Sequence, residues 1–225
     1  MTYELPTLEH DNLGSTVYRL ICEALIQGRL KPGDRLRIRD MADKLGTSVT
    51  PVRDAILRLV QEQALTMKSA RDIRVPFMTL ERYLEIRAIR VKLEGLAAEE
   101  AARRATAEDI ARLQTIVDMN RQTMKAGDIE AGCNLNQQFH FALVEIAGMP
   151  FLKGILYRIW LQMGPLISAV YAEGGMDMID YHPPVITAIQ RQDGAAAATA
   201  IGEDIVSGGQ AILRHLQAAA GGTQQ

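Results

Sequence analysis

Ser48, Val49, Thr50 and Arg53 stand together at the start of an apolar-striped segment. Hydroxyls beside a helix start can hold a phosphate, because the first N–H groups of a helix lack partners and carry partial positive charge. An arginine in the first turns can fork onto guanine O6 and N7, and valine methyls suit the methyl of thymine. Lys68 and Arg71 follow between two short β-patterned runs, Ala64–Met67 and Ile73–Val75, so they form a basic hairpin tip able to touch phosphate or the minor groove. Residues 29–74 hold eleven Lys and Arg against six Asp and Glu, a local charge of +5 in a chain of net charge −2. A basic segment on an acidic body suits a polyanion bound at one end. The chemistry these residues offer is recognition of double-stranded DNA.

The elements that must position them are legible. Val17, Leu20, Ile21, Ala24 and Leu25 recur at helical spacing from Leu13, and Gly28 ends that helix. Pro32-Gly33 makes a turn. A short helix over Ile38–Leu45 turns Met41, Ala42 and Leu45 inward and closes at Gly46, which accepts positive φ. Ser48 and Thr50 can each cap the next helix, Pro51 fits its first turn, and Val52, Ala55, Ile56, Leu59 and Val60 form its stripe. Two helices joined by a short glycine turn form a helix-turn-helix, with the start of the second aimed at the major groove. The hairpin after it is a wing.

From Leu80 the pattern is helical, with helices expected near 79–104, 107–126, 129–147, 149–173, 183–192 and 194–218. Glu173–Asp177 reads as a longer, mobile break. The expected fold is mainly α: an N-terminal winged helix-turn-helix plus a C-terminal all-α helical bundle. Residues 1–12 read as a flexible arm, 13–77 as the winged unit, 78–220 as the bundle and 221–225 as a disordered tail. With 48% apolar residues the chain can bury a sizeable core. It has no apolar run of membrane-spanning length and no signal peptide, so a soluble, cytoplasmic protein is expected. Cys22 and Cys133, without CxxC spacing, read as reduced core thiols.

Gly33-Asp34-Arg35-Leu36, Met41–Ser48, Thr50–Ala55 and Leu57-Arg58-Leu59 together resemble the GntR family of bacterial regulators, the Ser-x-Thr-Pro-Val-Arg stretch most specifically. By that resemblance Arg39, Ser48, Thr50 and Arg53 contact an operator. Three positions depart from the family pattern: Val49 replaces an Arg, Ala64 a Gly at the end of the recognition helix, and Asp72 a Gly in the wing. They imply an operator unlike the commonest ones, and weaker binding. Tyr83–Arg87 with Arg90–Glu94, and Asn136–His140, resemble the FCD sensor domain of the FadR-type subfamily, in its smaller six-helix variant.

That resemblance implies a divalent metal ion inside the bundle. Asn136 and His140 match an Asp–His pair four residues apart, His182 matches a second His, and Asp204 falls where a third His is usual. Positions four apart share a helix face and can meet one ion. Two ligand types are exchanged and the ligand charge is conserved; the set suits Mn, Ni or Zn. Without metal, His140 and His182 are hydrogen-bonded pocket residues. Arg87 and Arg90 can clamp the carboxylate of a small organic or sugar acid effector, while Arg90 can equally pair with Glu94 at i+4. Trp160 and Tyr181 are pocket walls or ordinary core. The leading reading is a metabolite-responsive repressor, a homodimer on a palindromic operator. Two other classes stay open: a metal-dependent enzyme using the His-His-carboxylate set, and a DNA-binding adaptor with no ligand.

Overall fold

The computed structural model describes residues 13–222. The expected arm, residues 1–12, and residues 223–225 of the expected tail lie outside that range. Three helices come first: α1 (Leu13–Ile26), α2 (Ile38–Leu45) and α3 (Val49–Gln61). The strands β1 (Arg35–Leu36), β2 (Thr66–Ser69) and β3 (Asp72–Arg74) form an antiparallel sheet in the order β1-β3-β2. The hairpin is thus real, with a tip tightened to Ala70-Arg71 and a register irregularity between Met67 and Ser69. Val17, Ile21 and Leu25 of α1 meet Val52, Ile56 and Leu59 of α3, and the sheet covers them with Leu36 and Ile73.

Seven further α-helices follow: α4 (Leu80–Arg104), α5 (Ala107–Lys125), α6 (Ile129–Ile146), α7 (Pro150–Asp180), α8 (His182–Gln190), α9 (Gly194–Glu203) and α10 (Gln210–Gly222). Polar residues cap four of them. Thr79 accepts from the Arg82 N–H, Thr106 and Asp109 form a capping box, and Asp128 and Asp193 cap α6 and α9.

Three expectations about helix ends are corrected. Glu173–Asp177 is not a break, because α7 runs through it. A Cβ on Gly174 would stand 2.4 Å from the Ala211 Cβ, and one on Gly175 would stand 2.6 Å from the Met124 Cε. Those glycines let α10 and α5 approach α7; they do not turn the chain. The single helix expected over 194–218 is interrupted by a π-turn, Asp204–Gly208. Gly221 and Gly222, placed in the tail, belong to α10.

The winged unit is seated on the bundle. Gly164 of α7 lies so close to the end of α1 that a Cβ there would meet the Leu25 and Ile26 carbonyl oxygens at 2.4 and 2.5 Å. One turn on, the buried Ser168 hydroxyl donates to the Gly28 carbonyl at 3.1 Å and accepts from the Lys31 ammonium. One apolar cluster runs from α1 and α3 into α7, and a second fills the bundle between α4, α5, α6, α8 and α9.

Candidate nucleic-acid interface and metal centre

The start of α2, the start of α3 and the wing tip converge on one groove of about 470 Å³. Five arginines line it: Arg35, Arg37, Arg39, Arg53 and Arg71. The Arg35 guanidinium donates to the Arg71 carbonyl at 2.5 and 3.0 Å, which ties β1 to the wing tip. Among the described residues Asp40 is the one acid on the groove lining, 3.8 Å from Arg37. Arg39 and Arg53 are exposed. Ser48 holds the N-cap position with extended backbone, φ −76° and ψ 165°, yet makes no side-chain capping bond. Its hydroxyl therefore remains available to a ligand at the helix start, and Thr50 beside it is exposed. Val49 is half-buried and packs on the core while also lining the groove. Lys68 stands apart, in the crevice between the hairpin and the Phe77–Thr79 link.

Two of the family departures carry little cost. The Asp72 carboxylate is 2.7 Å from Arg74, whose hydrogen bond lowers its pKa. Its charge faces a neighbouring cation within the hairpin. Ala64 is buried, and the left-handed residue after α3 is Gln63, φ 59°, so a glycine is not required at 64.

Inside the bundle His140 of α6, His182 at the start of α8 and Asp204 at the start of the π-turn meet with all three ligand atoms within 4.8 Å of one another. The Asp204 carboxylate reaches both imidazoles, 3.4 Å to His140 Nε2 and 3.5 Å to His182 Nε2. Asn136 lies one turn before His140, and both line a small pocket of about 30 Å³ with Arg90 and Asp204. His182 is fully buried, stacked 4.0 Å from Phe139, and neither ring nitrogen has a hydrogen-bond partner. Burial pushes its pKa well down. Burial also pushes the Asp204 carboxyl up to about 6, although His140 and Arg90 pull the other way.

Orphaned buried nitrogens are costly, and a cation resolves the cost. Two imidazoles and one carboxylate form a donor set that a divalent cation accepts. The residues fit a divalent ion.

Arg90 is buried, donates from Nε to Glu94 at 2.6 Å and lies 4.8 Å from the Trp160 ring centroid. The i+4 pairing with Glu94 is present, and Arg90 also lines the pocket. Trp160 is buried core under Arg90 and beside His140, outside the pocket lining. Arg87 is half-buried, 5.6 Å from the Tyr83 ring centroid and outside the pocket lining; Tyr181 is half-buried and also outside it. Two residues that the sequence did not assign to the site belong here. Glu94, 2% exposed, receives both Arg90 and His140. Tyr83 donates its hydroxyl to the Gly209 carbonyl just after the π-turn.

The comparisons with known proteins agree with this arrangement. Residues 13–75 match the model of the bacterial regulatory proteins of the gntR family, and residues 85–207 match the FCD domain. The chain is 35% identical over 164 residues to the HTH-type transcriptional regulator McbR of Escherichia coli, covering 73% of this chain and 74% of that one. It is 26% identical over 201 residues to a probable D-xylose utilization operon transcriptional repressor of Paenarthrobacter nicotinovorans, 86% of each. The solved structure of E. coli McbR/YncC superposes with a TM-score of 0.83 at 30% identity, covering 92% of this chain and 99% of that one.

Proposed function

The chain belongs to the GntR family of bacterial transcription regulators and carries an FCD domain, and we propose that it is a cytoplasmic, homodimeric repressor whose operator affinity is changed by a small organic or sugar acid bound beside a divalent metal. As a member of that family it is a regulator, not an enzyme. Among the described residues no helix is long and apolar enough to cross a membrane.

The convergence of Arg39, Arg53 and Arg71 on one groove carries the DNA half of the reading. Arg53 enters the major groove, Ser48 and Thr50 hold phosphate at the start of α3, and Arg71 follows the backbone from the wing tip, with Lys68 set apart from that groove. Ile89 and Leu96, seven residues apart on one face of α4 and each 42% exposed, give a second copy an apolar strip to cover. Two-fold symmetry then sets two recognition helices on a palindrome.

In the sensing half, Asn136, His140, His182 and Asp204 hold the ion, which supplies a Lewis acid for a carboxylate. Arg90 lines the same pocket and adds positive charge, whereas Arg87 stands further out. A volume of about 30 Å³ holds an ion and a water but not an organic acid, so acid binding must displace a wall. Ile167 of α7 is one such wall, and the next residue, Ser168, holds Gly28 and Lys31 of the winged unit. A wall that moves α7 therefore moves the seat of the DNA-binding unit.

The test is operator capture from genomic fragments, followed by anisotropy titration with and without metal and candidate acids. Arg53→Ala should weaken specific binding about 5- to 150-fold in each half-site, since one bidentate base contact is worth about 1–3 kcal/mol of discrimination. Unchanged specific binding by that variant would refute the DNA assignment. An affinity indifferent to every acid tested, with metal present, would remove the sensing half.

A further inference from the structure

We infer that Glu94 is the positioning residue of the metal centre: its carboxylate fixes which nitrogen of His140 faces the ion. The inference rests on the proposed ligand set and concerns a residue outside it. Glu94 is 2% exposed and uses its two oxygens on two partners, Oε1 accepting from Arg90 Nε at 2.6 Å and Oε2 standing 2.6 Å from His140 Nδ1. A carboxylate can only accept, so Nδ1 carries the proton. In the neutral ring Nε2 is then bare and faces Asp204, 3.4 Å away, and the ligand cluster. Arg90 in turn lies on the Trp160 face, which holds the guanidinium that holds Glu94. A histidine ligand needs this fixed tautomer and ring orientation, and loss of the outer partner typically weakens metal binding about 10–100-fold.

Glu94→Gln makes the claim testable because an amide cannot serve both partners. Its oxygen is claimed by the cationic Arg90, so its NH₂ faces His140 Nδ1 and drives the proton onto Nε2, where it blocks the ion. In the double variant Arg90→Met/Glu94→Gln the amide oxygen is free to accept from Nδ1–H again. The measurements are Zn²⁺, Ni²⁺ and Mn²⁺ titrations by competition with a chromophoric chelator, and ¹⁵N chemical shifts of the His140 ring in the metal-free full-length chain. Expected are an Nδ1–H tautomer in the wild type, an Nε2–H tautomer with affinity lowered about 10–100-fold in Glu94→Gln, and recovery of both in the double variant. Metal affinity within threefold of wild type in Glu94→Gln, or an unchanged tautomer, would overturn the role of Glu94. Equal loss in single and double variants would overturn it too, since merely structural damage gives that result. A wild type that takes up none of the three ions overturns the metal reading itself, and the tautomer measurement shows separately whether Glu94 orients the ring.

Discussion

Replacing His182 by leucine should stabilise the chelated protein and destabilise it relative to the wild type once metal is added. This imidazole is fully buried and neither ring nitrogen makes a hydrogen bond to a described protein group. A buried unsatisfied polar group costs about 1–3 kcal/mol. Leucine removes that cost but forfeits the stack on Phe139, with ring centroids 4.0 Å apart, which is worth about 0.5–1.5 kcal/mol. The balance is a gain on the order of 1 kcal/mol, a rise in melting temperature of about 2–4 °C for a chain of this size. Metal reverses the order. At a hundredfold excess over its Kd, an ion that binds only the folded state adds about 2.7 kcal/mol, and the variant gains none of it. The pH dependence adds a second signature. Burial holds the pKa of His182 well down in the folded chain, whereas the unfolded chain takes up the proton near pH 6.5. The unfolded state therefore binds more protons below pH 6.5. Stability is present above that pH and is lost as pH falls toward the folded-state pKa, by at most about 1.4 kcal/mol per unit. His182→Leu lacks this loss, so its advantage in chelator should widen on acidification. Thermal and urea melts in EDTA and in Zn²⁺, at pH 7.5 and 5.5, decide the matter. A variant that melts lower than the wild type in EDTA, or that gains as much as the wild type from metal, would sink the reasoning.

Asp204→Asn should also stabilise the chelated chain, with the opposite pH dependence. Burial raises its carboxyl to about 6, so its favourable contribution is complete below the unfolded value near 4 and is lost as pH rises through 6. The asparagine variant should lead by up to about 3 kcal/mol at pH 7.5 and by nothing near pH 4; a constant gap in urea melts would refute this. Gly164→Ala probes the seat between α1 and α7. Its Cβ would stand 2.4 Å from the Leu25 carbonyl oxygen, and such overpacking costs about 1–3 kcal/mol. Metal affinity should stay within a few-fold while the melting temperature and operator affinity fall; loss of metal binding as complete as in His182→Leu would show that seat and site are not separable.

The winged unit was readable because its signals are local. Gly28 and Gly46 have positive φ, 67° and 63°, as the turns there demand, and α1 and α3 show one apolar stripe each. β1 was missed because two residues cannot display an alternation. Gly174-Gly175 misled for a different reason. Glycine marks both a chain turn and a close helix contact, and only the neighbours Ala211 and Met124 reveal which. The helix break at Asp204–Gly208 left no periodic trace either. A π-turn adds one residue to a turn, and the stripe on each side still reads as helical.

The metal centre divides along the same line. Asn136 and His140 share a helix face by spacing alone, but His182 and Asp204 come from other elements and were placed through family resemblance. Glu94 was visible only as the i+4 partner of Arg90, a pairing that on most helices is a solvated surface pair worth little. What changes its meaning is His140, 46 residues further along the chain, with its Nδ1 on the second carboxylate oxygen. Local spacing says which residues can face one another on a single element. It does not say when a charged pair lies inside the bundle, and that burial turns an ordinary Arg–Glu pair into the support of a metal ligand. The π-turn has the same character. Gly209 sits against the Tyr83 hydroxyl with no room for a Cβ, which would stand 2.8 Å away. Tyr83 in turn bonds the Gly209 carbonyl. The irregular turn that begins at Asp204 is thus held from α4, the helix that also carries Arg90 and Glu94. One helix supports the carboxylate at one end of the cluster and the imidazole at the other, so a change in α4 is felt by both ligands.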